Sequence, residues 1–110
     1  PSADDTRLAQ FDTLIARHMS EGWTASDYAA ALSITAGHLS RLCRTATGRG
    51  ATAYIEQARI EEACRLLAFT RLPVSEIGFR LGFADPSYFS KRFRNARDQT
   101  PSAYREGFAA

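Results

Sequence analysis

"ADPSYFSKRF", Ala84–Phe93, is the stretch on which the reading of the chain turns. Asp85 is a good N-cap, because its carboxylate can accept from the orphan N–H groups of a first helical turn. Pro86 suits the next position, where no N–H is needed and its fixed φ is already helical. Phe89 and Phe93 are four apart and share a face. Ser87, Lys91 and Arg94 follow helical spacing about a third of a turn away. The spacing predicts a helix with an apolar inside and a cationic outside.

The other segments also carry helical period. Leu8, Phe11, Leu14, Ile15 and Met19 form the stripe of a first helix, broken at Glu21-Gly22. In "WTASDY", Thr24 and Asp27 read as a capping box, and Trp23 is placed to staple onto Tyr28. That second helix ends near Leu32. Thr35 caps a third, which runs through Leu39, Leu42 and Cys43 to Gly48, a C-terminal left-handed glycine. A long segment from Thr52 to Phe69 turns Tyr54, Ile55, Ala58, Ala63, Leu66 and Leu67 inward. Pro73 opens a fifth helix around Ile77 and Leu81, closing at Gly82. Thr100 and Pro101 repeat the cap-then-Pro device for a last helix bearing Tyr104. The expectation is an all-α fold, with no strand and no low-complexity tract.

Two of these segments are one unit written twice. "ALSITAGHLSRLCR" aligns with "RLGFADPSYFSKRFR". Leu32 and Ile34 precede Leu81 and Phe83 by 49 residues. After the turn the interval becomes 50: Leu39 matches Phe89, Ser40 Ser90, Arg41 Lys91, Cys43 Phe93, Arg44 Arg94, and Tyr54 Tyr104. Each copy is a short helix, a turn with an apolar plug, and a second helix with one apolar and one cationic face. That is the helix-turn-helix pattern.

In this motif the second helix enters the major groove of DNA and its exposed N-terminal face reaches base edges. The faces are Gly37, Ser40, Arg41 and Arg44 in the first copy, and Ser87, Ser90, Lys91 and Arg94 in the second. Small residues at the N-terminal end allow close backbone approach. Arg41 and Lys91 are the candidates for guanine O6 and N7. His38, Arg44, Arg92 and Arg94 are candidates for phosphates, which set register without reading sequence. The segment from Thr52 to Phe69 is about 26 Å long as a helix; together with its flanking turns it can set the two reading helices roughly 34 Å apart, one turn of B-DNA.

Composition fits such a partner. The 110 residues carry a formal charge of only +2 and are 45% hydrophobic, so the chain can bury a core. The charge is unevenly placed. Residues 35–50 hold Arg41, Arg44 and Arg49 without an acid, and residues 86–97 hold Lys91, Arg92, Arg94 and Arg97 without one. Thirteen of the fourteen cations are Arg, the residue suited to bidentate phosphate and guanine contacts. Cys43 and Cys64 fall on apolar faces and are expected to be buried thiols. No apolar run reaches membrane-spanning length and no signal-peptide pattern is present, which points to a cytoplasmic location.

"EIGFRLGFADPSYFSKRFR", Glu76–Arg94, followed by "TPSAYR", Thr100–Arg105, resembles the second-unit signature of the AraC/XylS family of bacterial transcription regulators. "HLSRLCR" and "ARIEEACRLL", Ala58–Leu67, match its first unit more weakly. The resemblance covers about residues 5–106. It implies seven helices in two helix-turn-helix subdomains of homeodomain-like form (residues 1–50 and 71–110) joined by a linker helix (residues 51–70). It also implies a DNA-binding domain with two recognition helices in successive major grooves, contact with RNA polymerase, and activation as the usual output. The domain alone would be a monomer, dimerising through another domain. Carried over by position, the base-reading residues are Gly37, Ser40, Arg41, Pro86, Ser87, Ser90 and Lys91.

Three departures from the family pattern stand out. Gly50-Ala51 replaces Ser-Pro before the linker helix, leaving that helix start less rigidly specified. Asp98 stands where a helix-ending Gly is usual, which predicts a looser turn. Gly37 replaces a side chain often used on DNA, so the first unit is expected to read fewer bases. Against an enzyme stand the separation of His18 from His38 and the absence of a catalytic triad or paired carboxylates. "GRG" at Gly48–Gly50 follows a helix, so it is no phosphate loop. No cofactor or metal is expected. The alternative is a helical protein-interaction module whose arginine faces meet an acidic partner.

Overall fold

The computed structural model describes residues 2–108. Among these residues it contains seven α-helices, one 3-10 turn and no strand: α1 (Ala3–His18), the turn Met19–Glu21, α2 (Ala25–Ala31), α3 (Ala36–Thr47), α4 (Ala51–Phe69), α5 (Val74–Arg80), α6 (Pro86–Arg97) and α7 (Pro101–Glu106). The all-α expectation holds. The helices form two compact units. One comprises the residues up to Met19 together with Trp23–Ala58; the other comprises Ser20–Gly22 and the residues from Arg59 onward.

Local chemistry starts nearly every helix. Thr24 and Asp27 form a complete capping box on α2, and the Trp23 ring meets Tyr28 edge-on at 5.1 Å, the expected staple. Thr35 Oγ1 accepts from the His38 N–H at 3.0 Å, and Thr100 Oγ1 from the Ala103 N–H at 3.1 Å. Asp85 accepts from the Ser87 N–H, with Pro86 opening α6. A capping box between Ser2 and Asp5 starts α1 at Ala3, five residues before its first expected core position, Leu8. Pro73 stands one place earlier than expected: it precedes α5 and offers its carbonyl to Ile77 N–H.

The duplication is visible in the backbone hydrogen bonds. Leu32 N–H donates to Tyr28 and Ala29 carbonyls, and Leu81 N–H to Ile77 and Gly78. Ser33 reaches Ala30 as Gly82 reaches Phe79; Ile34 reaches Ala29 as Phe83 reaches Gly78, both at 3.0 Å. These pairs keep the 49-residue interval, and the added residue, Ala84, falls in the second turn before the Asp85 cap. At the far end, Gly48 and Asp98 both adopt the left-handed conformation, φ 80° and 60°. Each N–H returns to its helix at 2.8 Å, on Arg44 and Arg94 respectively. The turn at Asp98 is therefore not loosened; the Asp adopts the glycine geometry.

The first unit is built around Phe11, Ile15, Tyr28, Ala29, Leu39, Cys43, Ala51 and Ile55. Phe11 packs edge-on to Tyr28 and stacks on Tyr54, whose hydroxyl donates to the Asp12 carboxylate. The second unit runs a chain of rings, Phe83–Phe89–Phe93–Tyr104, at centroid separations of 5.2, 6.0 and 5.5 Å. Such offset pairs each add about 0.5–1.5 kcal/mol beyond area burial. Buried Ile60, Ala63, Leu66 and Leu67 of α4 belong to this unit, while Ile55 belongs to the first. Ile60 escapes the periodic reading because α4 buries different stripes in its two halves, which blurs a single apolar face.

Candidate nucleic-acid interface

Helix α3 buries Leu39, Leu42 and Cys43. That choice of inner face leaves Gly37, Arg41 and Arg44 exposed, with His38 and Ser40 half-buried beside them. Helix α6 buries Phe89 and Phe93. Ser87, Lys91 and Arg94 are consequently exposed, and Pro86, Ser90 and Arg92 half-buried. Within each unit, every residue expected to face DNA is therefore at least partly open to solvent. The inner faces are held by complete burial of Leu39 and Cys43 in one copy and Phe89 and Phe93 in the other.

Helices α3 and α6 carry cations and no acidic residue. Three arginines elsewhere pair with acids about one turn away: Arg7 with Asp4, Arg65 with Glu62 and Arg80 with Glu76. Among the described residues, Arg41, Arg44, Lys91 and Arg94 make no ion pair. Two uncompensated cations on each of the two matching faces attract a polyanion.

Glycine contributes by absence. A Cβ added at Gly37 would lie 3.5 Å from Arg41 Nη1, so the guanidinium folds back beside bare backbone. One added at Gly50 would meet Arg44 Nη2 at 3.3 Å and Ser40 Oγ at 3.4 Å. The Ser40 hydroxyl also accepts from the Ala51 N–H, the first of α4, at 3.4 Å. The sequence reading missed this bond, since its partners are 11 residues apart. It also left out Tyr88, which is 55% exposed on α6 beside Ser87. Period alone could have found it: Tyr88 falls outside the Phe89–Phe93 stripe.

The thiols differ from expectation in one respect. Cys43 is fully buried, and that burial, with Asp12 nearby, pushes its pKa up. Cys64 is only half-buried, with the Tyr104 hydroxyl of α7 beside it. A hydrogen bond with Cys64, followed by desolvation, pushes the Tyr104 hydroxyl up. Both thiols are free. Among the described residues, no helix is long and apolar enough to cross a membrane.

This geometry has relatives. The sequence profile of the helix-turn-helix domain family matches residues 28–107. The chain is 31% identical over 104 residues to the HTH-type transcriptional activator RhaS of Klebsiella pneumoniae, covering 94% of this chain and 37% of that protein. It is similar to the crystal structure of an AraC-type DNA-binding-domain regulator from Chromobacterium violaceum, with TM-score 0.86, 26% identity, and coverage of 96% of this chain and 94% of that one. It is also similar to the DNA-binding domain of AdpA, solved in complex with a target DNA, at TM-score 0.83 and 27% identity over 92% of this chain and 91% of that one. The chain spans little more than a third of the length of the curated relatives it matches. Fold and family are those of DNA-binding regulators rather than of enzymes. With its duplicated motif and two unpaired cationic faces, the chain belongs to the AraC-type helix-turn-helix family and is a DNA-binding domain of a transcription regulator.

Proposed function

We propose that the domain binds double-stranded DNA sequence-specifically, with α3 and α6 in successive major grooves. The observation that carries this reading is the pair of matching faces, Arg41 with Arg44 and Lys91 with Arg94, exposed and without ion pairs. Arg41 and Lys91 take guanine edges. Pro86, Ser87 and Ser90 line the base-facing side of α6; Gly37 lets α3 approach closely. His38, Arg44, Arg92 and Arg94 hold phosphates and set the register. The subdomains are residues 1–50 and 71–110, with residues 51–70 as the linker helix.

The domain delivers a bacterial activator to its promoter, where the partner is RNA polymerase in the cytoplasm. By itself it is monomeric, and dimerisation falls to a separate domain. RhaS, named as an activator, supports that output.

Selection of bound duplexes from random DNA tests this reading. A defined site should emerge with two recognised segments about one helical turn apart. Binding to it should weaken with salt at a log–log slope of about −5 to −7, the value for roughly 6–8 phosphate contacts. Enrichment of no sequence, with capture of acidic proteins instead, would favour the interaction-module alternative.

A further inference from the structure

Ser40 and Ser90 occupy equivalent places in the repeat, yet the structure gives only one of them a structural duty. Ser40 Oγ lies 3.4 Å from the Ala51 N–H and accepts from it. Ala51 is the first residue of α4 and is completely buried, so its N–H cannot turn to bulk water. Gly50, just before it, has no side chain with which to cap the helix, although its carbonyl already receives the Tyr54 N–H at 3.1 Å.

The second copy is arranged differently at the same points. Thr100 stands in place of Gly50 and caps α7 with its own hydroxyl, at 3.1 Å from Ala103 N. Pro101 stands in place of Ala51 and has no N–H to satisfy. Nothing at the start of α7 therefore requires the Ser90 hydroxyl.

We infer that Ser40 is a positioning residue, which caps the long helix from across the unit, whereas Ser90 is a specificity-determining residue on DNA. This inference rests on the DNA-binding reading and divides its labour. The first unit then reads bases chiefly through Arg41, since Gly37 has no side chain and the Ser40 hydroxyl is held at the Ala51 N–H. Gly50 belongs to the same device. Its missing Cβ leaves room for both the Ser40 hydroxyl and the Arg44 guanidinium, whose atoms would otherwise be 3.4 and 3.3 Å away.

The test uses the 110-residue chain and the duplex that it selects from random DNA, with single base-pair variants of that duplex. Ser40→Ala should lower the melting temperature by roughly 4–8 °C, the shift expected for one lost cap. Its ranking of the duplex variants should stay that of the unaltered domain, within about twofold, against the fivefold or larger penalty of a true mismatch. Adding Gly50→Ser supplies a local N-cap for the Ala53 N–H, as Thr100 does for Ala103, and should recover part of the lost melting temperature. Ser90→Ala should melt normally and lose preference at one base pair by about fivefold or more. The inference is overturned if Ser40→Ala keeps its melting temperature and relaxes preference at a base pair. Absence of any base preference in the unaltered domain would instead overturn the DNA reading itself.

Discussion

Gly78 and Phe89 are complementary in volume: a Cβ built on Gly78 would lie 3.0–3.1 Å from three atoms of the Phe89 side chain. The matching pair in the first unit is Ala29 and Leu39, where a smaller core residue leaves room for the methyl. The two copies thus fill the same junction with different partitions of volume. Phe89 is completely buried between the rings of Phe83 and Phe93, so it cannot move aside.

Gly78→Ala should therefore destabilise the domain by about 1–2 kcal/mol, because overpacking outweighs the gain in helix propensity. In a Phe89→Leu background the same change should become stabilising. Denaturant unfolding of the double-mutant cycle measures this reversal of sign. A Gly78→Ala penalty unchanged by Phe89→Leu would refute the complementarity.

The left-handed positions are exchanged between the copies. Ser33 (φ 57°) stands opposite Gly82 (φ 85°), and Asp98 (φ 60°) opposite Gly48 (φ 80°). Ser33→Gly and Asp98→Gly should each stabilise by about 0.5–1 kcal/mol, and Gly48→Ala and Gly82→Ala should each destabilise by at least as much. Melting curves of the four variants decide the matter.

Lys91 and Arg94 should separate in binding assays. Lys91→Ala should relax preference at a guanine, at a cost of about 1–3 kcal/mol on the selected duplex and little on others. Arg94→Ala should weaken binding to all sequences alike and reduce the salt slope by about one. Titrations at several salt concentrations on matched and mismatched duplexes check both; a uniform loss for Lys91→Ala would make it a phosphate contact.

Thiol labelling of the native domain should modify Cys64 first and Cys43 only on unfolding, since the first is half-buried and the second fully buried. Burial raises the Cys43 pKa above its ordinary value of 9.0. Below that value both states keep the proton and stability is undiminished. Above it the unfolded chain loses the proton first, so stability should decline as pH rises through the native value. Cys43→Ala should flatten the alkaline limb of a stability–pH curve measured by denaturant unfolding.

The inner face of α6 can be checked directly. Phe89→Ala or Phe93→Ala should cost about 3–5 kcal/mol of unfolding free energy, the range for removing a buried ring. A melting curve that did not change would mean the cationic side of α6 was the inner one.

Much of the molecule was legible because its signals are local. Caps act over two or three residues: Thr24 on Asp27, Thr35 on His38, Asp85 on Ser87, Thr100 on Ala103. Period-3.6 burial assigns Leu39 and Phe89 to the inside, and thereby Arg41 and Lys91 to the outside, without knowledge of what they pack against. The repeat follows from aligning the chain with itself, down to the single added residue in the second turn. Helix α4 was harder, because Ile55 and Ile60 are buried in different units.

Sequence by itself therefore determined the helices, the duplication and the two cationic faces, since each depends on residues within about one helical turn or on simple alignment. Tertiary structure alone decided that the Ser40 hydroxyl is taken by Ala51, that Gly78 yields its volume to Phe89, and that Cys64 stays half open beside Tyr104. Those outcomes depend on distances between separate elements, which packing establishes and no local propensity encodes.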